Sequence, residues 1–288
     1  MPQNFAEARK RFSDRVLSPR EYLEQCLARI DEREPVVRAF VSMNVDGARK
    51  AADASSERYR GGKPLSSIDG MPVAIKDIIE TEDMQTGFGS PIFKDWRGGR
   101  DAACVYALRQ AGAVIVGKVV TTEFAGAPPG PTTNPLDPTR TPGGSSSGSA
   151  AAVAANACDF ALGSDTGGSV RAPAGHCGLV GLRPSHGRIS LANVMDLSPS
   201  FDTCGWFSRD VATYARVADV LLGRDPVPLP KSPRLLAPSI ASTSARGARS
   251  ASAASGASSA QTSLGASRRG DFGSGTGSRP SKTSATRA

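Results

Sequence analysis

Residues 141–173 constrain this chain more than any other part of it. They open as Thr141-Pro-Gly-Gly-Ser-Ser-Ser-Gly-Ser149, run on through small residues, and include Asp165-Thr-Gly-Gly-Ser-Val-Arg171. Glycine loses more backbone entropy on folding than any other residue. Glycine at this density is therefore expected where backbone passes very close to something or takes a positive φ. Two glycine turns, each carrying a serine, flank one short helix–strand unit. A serine at the apex of such a turn is a candidate nucleophile ringed by free backbone N–H groups. A third candidate lies upstream, where the apolar run of Met71-Pro-Val-Ala-Ile-Lys-Asp77 ends on Lys76.

The surrounding pattern predicts alternating strands and helices. Ser18-Pro19-Arg20-Glu21 is a capping box with proline at the first helical position, and Tyr22, Cys26, Leu27 and Ile30 continue it at helical spacing. Residues 39–43 read as a short strand, 46–59 as a helix, and 73–75 as a strand that delivers Lys76 at its end. Asp101 is expected to cap a helix running to Ala111, ended by Gly112, with a buried strand at 114–116. An Ala-rich helix is expected over about 147–157 and a strand at 160–162, after which Ser169 opens the next helical turn. A last helix starts at Ser208 or Arg209 and stops at Gly223. This order predicts an α/β fold with a mixed or mostly parallel sheet.

Several function classes lose support at this level. The formal charge is +8, but seven basic residues against Asp271 alone put +6 of it after Ser239, leaving +2 for residues 1–238. The body carries no basic stripe with interleaved aromatics, so nucleic acid is not an expected partner. The five cysteines are scattered and form no C-x-x-C pair, which argues against a disulfide framework or a zinc site and fits a reducing, cytoplasmic setting. No signal-peptide pattern and no long apolar run are seen, so no membrane association is expected. Gly112-Ala-Val-Ile-Val-Gly-Lys118 has P-loop spacing, but Val119 stands where magnesium needs Ser or Thr, and the spacer reads as a buried strand. A histidine-dependent hydrolase would have to use His176 or His186; a lysine base explains more residues.

Five ordered segments carry a resemblance. They are Gly70-Met-Pro-Val-Ala-Ile-Lys-Asp77, Gly117-Lys-Val-Val-Thr-Thr-Glu-Phe-Ala125, Pro142-Gly-Gly-Ser-Ser-Ser-Gly-Ser149, Gly163-Ser-Asp-Thr-Gly-Gly-Ser-Val-Arg-Ala-Pro-Ala174 and Cys177-Gly-Leu-Val-Gly-Leu-Arg-Pro184. From about residue 18 to about 234 the chain closely resembles the amidase signature family of amide hydrolases. Phe88-Gly-Ser-Pro91, Arg183-Pro-Ser-His186 and the segment from Ser200 to Asp210 look like free-standing amidases of the indole-3-acetamide hydrolase type. The resemblance implies the amidase signature fold, a mixed sheet flanked by helices on both sides. It also implies a Ser–cis-Ser–Lys triad, with Ser169 as nucleophile, Ser145 as the bridging serine on a cis peptide and Lys76 as base. The backbone N–H groups of Thr166, Gly167, Gly168 and Ser169 would form the oxyanion hole.

The chemistry agrees with these roles. Serine is a weak nucleophile that needs a base beside it. Lys76 must be neutral to serve, and lowering a lysine pKa from ~10.4 to near 7 takes ~4–5 kcal/mol of destabilisation of the charged form. Each oxyanion donor is worth ~2.7–4 kcal/mol in the transition state. The implied reaction is hydrolysis of a carboxamide to carboxylate and ammonia, on a small-molecule amide, without metal or organic cofactor. The alternatives are a glutaminase resembling that of a tRNA-dependent amidotransferase, and a catalytically inactive, truncated relative. Glu123, Arg171 and Asp165 are expected as structural neighbours, Arg171 holding the glycine turn through backbone carbonyls. A homodimer is left open.

Residues 1–236 are assigned to this domain and 237–288 to a low-complexity tail of Ser, Ala, Gly, Arg and Thr. Ile240, Leu264 and Phe272 are almost its only large apolar residues. They cannot offset ordering at ~1–2 kcal/mol per residue, so disorder is expected there. The resemblance ends at nearly the same point, and the composition is that of a GC-rich gene read out of frame, which would leave the fold incomplete at its C-terminus. Translating the other two frames downstream of the Leu236 codon is expected to recover apolar helix and strand patterns. Two equally featureless frames would instead mark the tail as a natural ending.

Overall fold

Period-two alternation along the central strands sorts the core into two layers. The computed structural model describes residues 4–223. Six strands form one sheet in the order β1-β3-β2-β4-β6-β5. They are β1 (Phe40–Met43), β2 (Pro72–Lys76), β3 (Val114–Val119), β4 (Phe160–Ser164), β5 (Val180–Leu182) and β6 (Cys204–Ser208). The three central strands β3, β2 and β4 run parallel, while β1, β6 and β5 each pair antiparallel. On one face Val73, Ile75, Ile115, Phe160, Leu162 and Trp206 enter one apolar cluster; on the other Ala74, Val114, Val116, Ala161 and Phe207 enter a second. A strand with both faces buried in this way requires helices above and below the sheet.

Those helices are α1 (Phe5–Ser13), α2 (Pro19–Val37), α3 (Val45–Arg60), α4 (Ala103–Gln110), α5 (Ser147–Ala154), α6 (Arg171–His176) and α7 (Val211–Leu222). The first cluster takes α1, α4 and α7, with Trp206 stacked on Tyr214 at 4.5 Å between ring centroids. The second takes α5 and the inner faces of α2 and α3. Residues Ser147 through Val153 of α5 are all buried, as suits a helix of small residues lying against Ala74 and Ala161. Its approach depends on Gly148, where an added Cβ would stand 2.3 Å from Val120 N and 2.5 Å from Ala39 O. Arg209 staples the far end of α5 to β4, donating to the carbonyls of Val153 and Cys158 and to Asp159, which also accepts from Tyr22 Oη.

Most expected elements are present, with shifted ends. The Ser18 capping box forms as read. The Ala-rich helix stops at Ala154, and α7 starts at Val211 with Asp210, not Ser208 or Arg209, as its cap. Asp101 does not cap α4. Ala102 occupies that position with no side-chain bond, and Asp101 instead accepts from Glu82 N and pairs with Arg109. The helix α1, capped by Asn4 accepting from Glu7 N, and the strands β5 and β6 lie outside the expected elements. No described helix is long and apolar enough to cross a membrane. The expectation for residues 237–288 lies outside the described residues.

Gly148→Ala forces a methyl group against backbone atoms that cannot swing away. It is expected to lower stability by roughly 2–3 kcal/mol, a Tm loss of about 5–10 °C by thermal unfolding. An unchanged Tm would show that the helix-to-sheet approach is adjustable.

Candidate active site

Parallel pairing of β2 with β4 sets Ile75 opposite Leu162, so both strands end on the same side of the sheet. The last residue of β2 is Lys76 and the last of β4 is Ser164. The Lys76 side chain is fully buried, and its Nζ lies 2.6 Å from Ser145 Oγ and 2.8 Å from Ser164 Oγ. Burial pushes the Lys76 ammonium down to about 7, against the opposing pull of the Asp165 and Asp202 carboxylates. A neutral Nζ can accept the Ser145 O–H while donating to Ser164.

Ser145 sits just before the first turn of α5, on a cis Gly144–Ser145 peptide. Its carbonyl accepts from Thr122 N at 3.1 Å. The neighbouring Ser146 locks the loop to the end of β4, its hydroxyl donating to Ser164 O and accepting from Ser164 N. Ser146 N also donates to Ser169 O at 3.4 Å, which joins the two glycine turns. Ser145 and Ser169 line one cavity of about 340 Å³, together with Thr122, Thr141 and Gly143. Ser145 is buried and Ser169 half-exposed. Among the described residues the Ser169 hydroxyl forms no hydrogen bond, so its link to Ser145 is shared walls and not a direct contact.

The second turn is built around a carboxylate. Asp165 accepts from Val170 N, Arg171 N and the Arg171 guanidinium, and pairs with Arg183. Burial pushes Asp165 up, but these donors outweigh it and hold it at about 2. Arg183 also donates to the carbonyls of Asp165, Thr166 and Phe201. Thr166 Oγ1 donates to Asp202 at 2.5 Å. With Asp165 absorbing the amides of residues 170 and 171, those of residues 166–169 have no acceptor among the described residues. Gly168 has a φ of +138°, a conformation that strains any side chain, while a Cβ there would meet open space. Here glycine answers to backbone shape and not to packing.

The expected neighbours divide. Arg171 holds the turn through the Asp165 carboxylate and not through backbone carbonyls, because that carboxylate offers it two oxygens at 3.0 Å. Glu123 is exposed, and among the described residues its side chain makes no hydrogen bond or ion pair. His186 is exposed against Pro199 O; His176 lies near Gly143 without bonding either serine among the described residues. Lys118 is buried in β3, as the rejection of a P-loop implied, and pairs with Asp77 at 3.1 Å. Ser164, Ser146, Asp202 and Arg183 were not singled out from sequence. Ser164 stands inside the quoted Gly163-Ser-Asp segment, but only strand pairing reveals that it faces Lys76. Among the described residues no group of three His, Cys, Asp or Glu could hold a metal ion.

Comparison with known proteins gives this geometry a family. The model of the Amidase family matches residues 21–254. The chain is 45% identical over 212 residues to a protein from Chloroflexus aurantiacus named as the A subunit of glutamyl-tRNA(Gln) amidotransferase, covering 72% of this chain and 44% of that protein. It is 41% identical over 243 residues to the protein of the same name from Anaeromyxobacter sp. (strain K), covering 82% and 49%. Among solved structures, the peptide amidase from Stenotrophomonas maltophilia superposes with a TM-score of 0.74 at 35% identity, covering 77% of this chain and 48% of that one. A bacterial aryl acylamidase of the amidase signature enzymes superposes at 0.70 and 27% identity, covering 76% and 47%. The chain thus spans about half the length of these relatives. By the length of the family match and by these identities, it belongs to the Amidase family.

Proposed function

We propose that the chain hydrolyses a carboxamide to carboxylate and ammonia through an acyl-enzyme on Ser169. The observation that carries this reading is a buried lysine, its pKa brought down to about 7, at 2.6 Å from a serine that shares a cavity with Ser169. In the first half-reaction the Ser169 hydroxyl attacks the amide carbonyl. Its proton passes to Ser145 Oγ as Ser145 gives its own to Lys76. The C–O bond forms, and the carbonyl oxygen takes up the charge facing the free amides of residues 166–169. The tetrahedral carbon then expels ammonia, which takes back the proton from Lys76 through Ser145. In the second half-reaction water, deprotonated along the same relay, adds to the ester. Ser169 leaves with a proton and the carboxylate is released. Ser164 holds Lys76 in place as a positioning residue.

A second reading, the glutaminase part of an amidotransferase that works with partner proteins on charged tRNA, is favoured by the names of the relatives at 41% and 45% identity. Ammonia release from L-glutamine, measured beside release from aryl and alkyl carboxamides such as indole-3-acetamide, separates the two. A fluorophosphonate probe tests the inactive-relative alternative: labelling lost in Ser169→Ala supports an active nucleophile, and no labelling of the parent chain counts against it.

Three outcomes are expected of the site. Since only neutral Lys76 can take a proton, kcat/KM rises with pH through about 7 and levels above it. Ser169→Ala and Lys76→Met each cost roughly 10³-fold or more in kcat. Lys76→Met also stabilises the fold at pH 6. The folded chain holds the Lys76 proton more weakly than the unfolded one, so this site's penalty is full below about 7 and fades as pH rises toward 10.5. A Lys76→Met protein that keeps its turnover while a His176 or His186 variant loses it would overturn the assignment.

Arg171→Ala leaves Arg183 on Asp165 and removes a half-exposed partner. It is expected to lower stability by about 1 kcal/mol and kcat by about tenfold together. Full stability with turnover abolished would make Arg171 a direct participant.

A further inference from the structure

A second cavity, of about 470 Å³, shares no lining residue with the one holding Ser145 and Ser169. Its walls include Phe88, Phe93, Trp96, Phe124, Met195 and Glu80. The four aromatic rings form one cluster: Phe93 meets Phe88 at 4.9 Å, Phe124 at 6.0 Å and Trp96 at 6.3 Å, mostly edge to face, and Phe88 lies 5.3 Å from Trp96. Trp96 keeps more than a third of its surface exposed. Glu80 is the one charged side chain in the lining. Its Oε2 is buried without a hydrogen-bond partner, and Arg100, itself mostly exposed, approaches it only to 3.8 Å. The carboxylate and the indole converge. A Cβ built on Gly98 would stand 2.0 Å from Glu80 Oε2 and 3.2 Å from Trp96 Cη2. Any side chain at 98 would collide with the carboxylate, so Gly98 is what lets Glu80 and Trp96 come this close.

An apolar cavity alone would take any apolar group. Aromatic faces carry negative potential that attracts cations, and a mostly buried carboxylate whose Oε2 has no hydrogen bond and only the 3.8 Å ion pair with Arg100 adds to it. A protonated amine could donate one N–H to Glu80, but its other N–H groups would face rings that supply no acceptor. A quaternary ammonium needs none and spreads its charge over methyl groups that pack on aromatic faces. We infer that the Phe88–Phe93–Trp96–Phe124 cavity, with Glu80, is a binding site for a small organic cation of the quaternary ammonium type. The inference does not rest on the amidase reading, since neither Ser145 nor Lys76 enters it.

The probe is choline, set against its neutral carbon isostere 3,3-dimethylbutan-1-ol, with Trp96 fluorescence as the readout. The other indole, Trp206, is fully buried and stacked on Tyr214, and Trp96→Phe identifies the signal. Saturable quenching by choline is expected, with the isostere at least tenfold weaker. Glu80→Gln is expected to weaken choline about tenfold and leave the isostere unchanged. Equal binding of the two probes to the unaltered protein would overturn the inference, whatever the variant's stability, by showing an apolar cavity without charge preference. No saturable choline binding would overturn it outright. Choline affinity untouched in a folded Glu80→Gln protein would do the same.

Discussion

The burial of Lys76 is the constraint on which the rest of the structure depends. A lysine with no exposed surface would be untenable as a lone cation, and among the described residues its nitrogen hydrogen-bonds only two hydroxyl groups. The fold accommodates it by lowering the affinity of the amine for its proton and by setting Asp165 and Asp202 near enough to offset part of the cost. That balance places the group's titration near pH 7. Removing either serine would leave a buried amine short of a partner; adding a carboxylate in contact would return its charge. The site is therefore a tuned compromise between solvation and electrostatics, assembled from one strand end, one helix entry and one glycine turn.

The two glycine turns are shaped by different forces. At Gly148 the limit is space, since the helix behind Ser145 touches the backbone of β3 and of the residue before β1. At Gly168 the limit is backbone angle, with open space around it. Between them, Asp165 organises the second turn by gathering two amides and two guanidinium groups onto one buried carboxylate. The amides of residues 166–169 are left facing outward beside Ser169. The oxyanion role proposed for these amides would need donors held in place before the reaction, and the ionic bracket behind the turn holds it.

A second buried ion pair extends the same order outward. Lys118, opposite Ile75 on the neighbouring strand, pairs with Asp77 and donates to Thr86 Oγ1, while Asp77 accepts from Gly87 N. Burial pushes Lys118 down and Asp77 up, and their attraction opposes both shifts. The pair holds the segment that carries Phe88 onto the sheet, and Phe88 O accepts from Phe124 N. The candidate site and the aromatic cavity thus both draw on the end of β2, although their linings are separate.

The sequence alone determined the elements whose signals are local. A capping box, a Gly stop and an apolar strand ending in lysine act over a few residues, so the types of α2, β2, β3, β4 and α7, the start of α2 and the stop of α7 were legible from residue order. The serine-bearing turns were legible from their glycine content, and the five ordered segments carried a resemblance to a family whose membership the comparisons bear out. Tertiary structure decided what depends on pairing across the sheet. Ser164 is one more small polar residue until β4 lies parallel to β2 and turns it toward Lys76. Arg171 reads from sequence as holding carbonyls, because sequence shows the donor but not which acceptor offers the better geometry. The strand β6 joins residues 204–208 to β4, far upstream in the chain, and Glu80 acquires its meaning only beside Trp96. Propensity and capping are local free energies that a linear reading can add up; burial and charge pairing are set by neighbours that only the folded chain assembles.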